Sequence, residues 1–221
     1  MQTILENIDL DAMIRAINET LFMTIVSLFF AVIIGLILGI AIYLTQEDGL
    51  YPNKVINKIL NLIVNVLRAV PYIILLMLIL PLTTALVGSM IGAKAALPSL
   101  ILSSAPFYGR MVMIALNEVD SGTIEASKAM GASNFQIITK VLIPEAKPAL
   151  ISSMTVMAIA LVGYTAMAGA IGAGGLGNLA YLYGMVRNNN YVMYVSTILI
   201  LVIVFIIQII GDYFVRKLDK R

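Results

Sequence analysis

Residues 125–144 read EASKAMGASNFQIITKVLIP. Predominantly apolar stretches flank this segment on both sides, and each is long enough to cross a bilayer. The segment itself is too polar to span and too well patterned for slack loop. Ser121–Gly122–Thr123 supply cap residues for a short helix over Ile124–Met130, and Gly131 reads as its C-terminal stop. Ser133 then opens a capping box with Gln136 three residues on. The spacing predicts a second helix to about Ile143, ending before Pro144, with an apolar stripe of Phe135, Ile138, Val141 and Leu142. The first helix is small-faced: Ala126, Ala129 and Met130 stand beside Glu125 and Lys128. Two readings follow. The segment lies flat on lipid headgroups or beneath its own bundle, or it is a helical knob gripped by a partner outside the membrane.

Working outward, the first charge-free run extends from Thr20 to about Thr45 and contains the pair Gly35 and Gly39, spaced for close helix contact. Ordinary glycine usage in membrane helices explains that pair equally well. A second span covers Ile56 to Leu80, kinked at Pro71 and closed by Pro81, with Gly88 and Gly92 in a short turn or half-helix after it. A third covers Ala95 to Leu116, with Pro98 in its first turn and Pro106 inside. The polar segment Asn117–Lys147 follows. A fourth span begins at Pro148, a favourable first helical residue, and reaches about Ile171. The last runs from Tyr191 to Phe214, ahead of a basic tail.

Composition agrees with an all-α membrane class. Of 221 residues, 61% are hydrophobic and 12% charged, against roughly 25% charged in a soluble domain. A net charge of +2 gives no ground for nucleic-acid binding. The absence of Cys and His removes thiolate chemistry and the commonest general base and metal ligand. Glu6, Asp9 and Asp11 give the N-terminus the wrong charge for a cleaved signal peptide, so the first apolar segment is expected to stay as a span.

Five spans put the chain ends on opposite sides. With the C-terminus in the cytoplasm, the inner side carries Lys54, Lys58, Lys128, Lys140, Lys147, Arg216, Lys217, Lys220 and Arg221. The outer side carries only Arg15, Lys94 and Arg187, and Arg68 and Arg110 fall within spans. The excess of inner basic residues sets the N-terminus outside.

The run Glu125–Ala126 to Gly131, continuing to Ile143–Pro144, resembles the cytoplasmic EAA loop of the permease subunits of ABC importers. The resemblance covers nearly the whole chain and runs to the methionine-importer permeases. It rests also on Glu19–Thr20–Leu21, on the stretch from Arg68 through Pro71 to Leu76, on Ala105–Pro106–Phe107, and on Val162–Gly163–Tyr164–Thr165–Ala166–Met167 leading into Gly172–Gly177. Ser127 departs from the family pattern, which often has Ala there. The resemblance implies the type I importer permease fold with a cytoplasmic coupling helix. It implies docking of an ATPase subunit on Glu125, Ala126, Ser127, Ala129, Met130 and Gly131, and an external mouth near Gly172, Gly174, Gly175 and Gly177. The implied partners are a second copy of the chain, two cytoplasmic ATPases, an external substrate-binding protein, methionine and the lipid bilayer. The expected site is the bacterial cytoplasmic membrane, and no cofactor is expected.

Other motifs weigh less. Gly172, Gly174 and Gly177 match a dinucleotide fingerprint, yet a membrane helix precedes them and the next acidic residue, Asp212, comes far too late. They read instead as a tight turn, or as a flexible loop. No phosphate-cradling G-x-x-x-x-G-K-[ST] occurs, so ATP hydrolysis requires a separate chain. Arg68 and Arg110 can snorkel or pair, or serve a pathway. No Asp or Glu occupies the middle of a span, which argues against proton-coupled carriage. The thirteen Met residues fill irregular packing and encode no ligand. The expected division is an external segment 1–16, a permease domain 17–208 whose coupling segment covers about 118–147, and a basic tail 209–221. Two alternatives stay open: a permease for another small polar nutrient, and a membrane scaffold or channel gripping a non-ATPase partner.

Overall fold

A computed structural model describes residues 10–218, and every regular element among them is helical. Helix α1 (Leu10–Leu44) is 35 residues long, about 52 Å at 1.5 Å per residue against roughly 30 Å of hydrocarbon. It starts ten residues before the expected span. Charge-free counting finds the hydrocarbon window, but the helix continues beyond it. Its first turns are covered by tertiary packing, with Met13 and Ala16 buried among Leu176, Leu179 and Val192. Asp11 in that first turn also suits the positive end of the helix dipole.

Helix α5 (Ala93–Asn117) packs along α1 through glycine. A Cβ on Gly35 would lie 2.7 Å from the Ala105 carbonyl oxygen and 3.0 Å from the Gly109 nitrogen. A Cβ on Gly39 would strike the Gly109 carbonyl and Val112. The close-contact reading of the glycine pair is therefore correct. The register also sets direction: 35 lies against 105 and 39 against 112, so α1 and α5 run parallel. The chain between them has to return across the membrane.

That return is broken. Helix α2 (Lys54–Ala69) and helix α3 (Tyr72–Leu78) meet at 104°. Pro71 lacks the N–H that would continue α2, and Val70 before it is extended at φ −76°, ψ 122°. Pro71 thus breaks the span, well beyond the kink expected. Pro81 does not close it either, because it sits in the first turn of helix α4 (Leu80–Val87), where a missing N–H costs nothing. Gly88, left-handed at φ +78°, ends α4. Four helices are long and apolar enough to cross, and the bent pair brings the count to five. Because α1 and α5 are parallel, that pair counts as a crossing.

The coupling segment contains α6 (Ser121–Ala129) and α7 (Asn134–Ile137). The chain then passes through a π-helical turn, Ile138–Leu142, directly into α8 (Ile143–Ala168). The second helix therefore does not end before Pro144. The wider π turn delivers the chain so that Pro144 occupies a first-turn position, where its lost donor is not needed. Pro148 lies inside α8 and does not start it. After a second π turn, Gly169–Ala173, come α9 (Gly175–Leu179), a third π turn Ala180–Val186, and α10 (Asn190–Leu218). Gly211 lets α10 approach the Thr155 side chain of α8. Helices α1 and α10 run unbroken through 16/17 and 208/209, so neither expected domain boundary coincides with a structural break. Glu6, Asp9, Lys220 and Arg221 lie outside the described residues.

One core cluster joins membrane to coupling segment. Ala31 of α1 and Tyr108, Val112 and Leu116 of α5 pack with Ile137, Leu142, Leu150 and Met157. A displacement at α7 therefore meets close-packed side chains at once.

Candidate functional site: the coupling helix and the glycine turn

Both ends of α6 are fixed by hydrogen bonds. Asp120 is its N-cap, with Oδ1 accepting from the Thr123 N–H at 3.0 Å, one residue earlier than the expected Ser121–Gly122–Thr123 caps. At the other end Gly131 is left-handed at φ +82°. The Gly131 N–H donates to the Lys128 carbonyl at 2.9 Å and the Ala132 N–H to the Ser127 carbonyl at 3.0 Å. This pair of bonds is a Schellman motif, and Gly131 supplies the conformation it needs. The expected capping box is present in both halves. Ser133 Oγ accepts from the Gln136 N–H at 3.3 Å, and Gln136 Oε1 accepts from the Ser133 N–H at 2.9 Å.

The faces of α6 sort cleanly. Ile124 packs partly against the core cluster, and Ser127 is only 7% exposed, its hydroxyl donating to the Thr123 carbonyl at 2.8 Å. Ser127 therefore anchors the helix inward and cannot present a docking side chain. Glu125, Ala126, Ala129, Met130 and Gly131 are exposed, Met130 at 81%. The expected stripe of the next helix is rotated from its predicted place. Ile137 and Leu142 are buried, Ile138 and Val141 are half-buried, and Phe135 is 71% exposed, as Met130 is. Asn134 Nδ2 donates to the Leu50 carbonyl at 3.3 Å, tying the segment to the loop after α1.

At the opposite end of the bundle the glycine turn is clamped. Gly172, Gly174 and Gly175 have φ of +101°, +82° and +78°. Glu19 Oε2 accepts from the Gly175 N–H at 2.7 Å, and Thr20 Oγ1 from the Leu176 N–H at 2.9 Å. The Gly92 N–H donates to the Gly172 carbonyl at 2.9 Å, and Asn178 Nδ2 to the Gly169 carbonyl at 2.9 Å. These bonds exclude the flexible-loop reading. They also correct the expected mouth: Gly175 and Gly177 are buried, Gly177 against the Ala166 backbone, and only Gly172 and Gly174 are partly open.

Two groupings escaped the sequence reading. Tyr72 and Tyr164 stack at 4.8 Å between ring centroids, and the Tyr72 hydroxyl lies 3.2 Å from Ser99 Oγ, joining the broken span to α8 and α5. No periodicity links residues so far apart in sequence. Arg110 Nη1 donates to Asn61 Oδ1 at 3.3 Å, while the Arg68 guanidinium lies 6.0 Å from the Phe107 ring centroid.

The fold and these two fixed turns define a helical membrane bundle with a capped lever at one end. The chain belongs to the binding-protein-dependent transport system inner membrane components, whose family model matches residues 31–220. It is 55% identical over 215 residues to the methionine import system permease protein MetP of Bacillus subtilis, covering 97% of each chain. It is 46% identical over 203 residues to a probable D-methionine transport system permease protein MetI of Pasteurella multocida, covering 92% of this chain and 94% of that one. Among solved structures it matches an inward-facing conformation of the MetNI methionine ABC transporter with a TM-score of 0.94 and 44% identity, over 96% and 98% of the two chains. The fold is that of a type I ABC importer permease.

Proposed function

We propose that this chain is the membrane-spanning permease subunit of an ATP-driven importer and that it carries methionine by alternating access. The observation that carries this reading is α6: a helix capped at both ends, with an open face of Glu125, Ala126, Ala129, Met130 and Gly131, rigidly backed by the core through Ile124 and Ile137. That geometry transmits force, and the family supplies the source of the force. ATP hydrolysis belongs to a separate subunit docked on this face, and the chain itself makes and breaks no covalent bond.

The bundle end that holds α6 also holds Lys54, Lys58, Lys128, Lys140, Lys147, Arg216 and Lys217, whereas Arg15, Lys94 and Arg187 stand at the other. The positive-inside rule then puts the lever in the cytoplasm, the C-terminus with it and the N-terminus outside. The working assembly is two copies of this chain, two ATPases and an external binding protein presented to the Gly172–Gly174 end. The test is uptake of labelled methionine into proteoliposomes holding the complete complex. ATP-dependent accumulation is expected with binding protein present. Accumulation of other amino acids but not methionine overturns the substrate, and accumulation without the ATPase overturns the mechanism.

A further inference from the structure

Helix α2 carries a polar face that the described residues cover only in part. Its sequence KVINKILNLIVNVLRA has six polar residues, Lys54, Asn57, Lys58, Asn61, Asn65 and Arg68. At 100° per residue they fall within an arc of about 100°, and all remaining positions are apolar. On the other side Val55, Ile59, Leu62 and Val66 are exposed, as a lipid-facing surface is.

The helix does not lie flat on the membrane surface. At its foot Asn57 Nδ2 donates to the Ile42 carbonyl at 2.8 Å and to Thr45 Oγ1 at 3.1 Å. Ten residues on, Leu67 lines a cleft with Leu38 and Ile34. So α2 climbs beside α1, and Arg68 stands about 21 Å along the axis from Lys54. Bare amides and cations at that depth in hydrocarbon are costly unless water or a partner group satisfies them. Part of the arc is satisfied internally, because Asn61 Nδ2 donates to Asn57 Oδ1 at 2.9 Å and Arg110 reaches Asn61. Lys58, Asn65 and Arg68 remain exposed, and the Arg68 guanidinium lies over the Phe107 ring with no hydrogen bond among the described residues. A polar cleft of about 460 Å³ opens along the lower half of the arc.

We propose that this arc, with Arg110 of α5, is a water-lined wall of the conduit in the cytoplasmic half of the membrane, and that a small zwitterion passes along it with its carboxylate handed between Arg68, Arg110 and Lys58. The charge balance favours that end of the cargo. Four cations (Lys54, Lys58, Arg68 and Arg110) outnumber the two carboxylates of the adjoining loop, Glu47 and Asp48, and Glu47 is already bound to Lys54 at 3.0 Å. Asn65 makes no side-chain hydrogen bond among the described residues and offers an acceptor for the ammonium group. The cargo part of this inference rests on the importer reading above; the wall itself does not.

The chain has no cysteine, so single-cysteine variants are read without background. In the reconstituted complex, Asn65→Cys and Val66→Cys are exposed to an anionic, membrane-impermeant thiosulfonate, with modification of this chain read by mass. The reagent needs a hydrated thiolate, so Asn65→Cys is expected to react at least ~10-fold faster than Val66→Cys, and saturating methionine slows it. Equal rates overturn the wall. The ratio of anionic to cationic reagent rates at Asn65→Cys is expected to fall when Arg68→Gln is added; an unchanged ratio overturns the carboxylate path. Labelling at Asn65→Cys, alongside an unsubstituted complex that moves no methionine, keeps the wall and sinks the importer reading. Methionine uptake by the unsubstituted complex, with Asn65→Cys unreactive, keeps that reading and overturns the wall.

Discussion

The seam between α1 and α5 and the outer face of α6 are built from the same small residues and put them to opposite uses. At the seam, Gly35, Gly39 and Gly109 bring two backbones into direct contact, leaving no room for a methyl group at Gly35 or Gly39 and little at Gly109. On α6, Ala126 and Ala129 are exposed, and a Cβ on Gly131 would meet nothing within 4 Å among the described residues. A small residue in a membrane protein therefore acquires its meaning from what faces it. At the seam the space is consumed in folding. On the lever it is left open for a surface that arrives from outside the chain.

The comparison breaks first, and hardest, at the seam. Gly39→Leu has to displace Val112 and the Gly109 backbone, and overpacking against backbone is expected to cost about 3 kcal/mol or more. The expected outcome is no recoverable complex on size exclusion after detergent extraction. A monodisperse complex with normal yield would show that the two helices do not meet as described.

The lever should respond in the reverse sense, with folding intact and coupling lost. Gly131 sits at φ +82°, which proline, fixed near −65°, cannot adopt, so Gly131→Pro dismantles the Schellman motif. Glu125→Lys changes only an exposed side chain and is expected to alter stability by no more than ~0.5 kcal/mol. Both variants are expected to assemble in the membrane and to lose methionine uptake while the ATPase subunit keeps its hydrolysis. Normal uptake in both sinks the proposed lever.

The difference between seam and lever also explains what was legible beforehand. Gly131 as a stop and Ser133–Gln136 as a capping box were readable because caps are local chemistry, decided by neighbours within four residues. The fate of Gly35 and Gly39 was undecided, because it depended on Gly109, some seventy residues away. Span limits taken from charge missed the first ten residues of α1, since cover by Leu176 and Leu179 comes from the far end of the chain. Proline misled in both directions. Pro71 broke a span at 104°, whereas Pro144 was taken into a continuous helix after the π turn, and Pro148 lies inside that helix without ending it. Ser127 looked like docking surface in a one-dimensional motif, and only the helix phase turns it inward. The polar arc of α2 was present in the sequence at helical spacing. It went unread because charge counting treated Lys54 and Lys58 as loop and Arg68 as an isolated intruder.

A subtler change sharpens the lever further. Asp120→Ala removes the N-cap acceptor for Thr123 and is expected to cost about 1 kcal/mol, felt mainly as fraying of the first turn of α6. Amide hydrogen exchange at Thr123 and Ile124 should rise while exchange in α5 stays unchanged. Uptake should fall only partly, because Gly131 still fixes the other end. Unchanged protection at Thr123 would mean that docking, and not the cap, orders this turn.

The smallest effect tests the open side of the comparison within the membrane. Gly163 lies in the middle of α8, in the Val162–Met167 stretch, and a Cβ built there meets nothing within 4 Å. It resembles Gly39 in sequence context and differs from it wholly in surroundings. With no contact to violate and a helix interior that favours alanine, Gly163→Ala is expected to raise stability by up to ~1 kcal/mol, measured as a higher unfolding midpoint. A fall in midpoint of the isolated complex would mean that another surface packs on Gly163 as closely as Gly109 packs on Gly39, and this face of α8 would then belong with the seam and not with the lever.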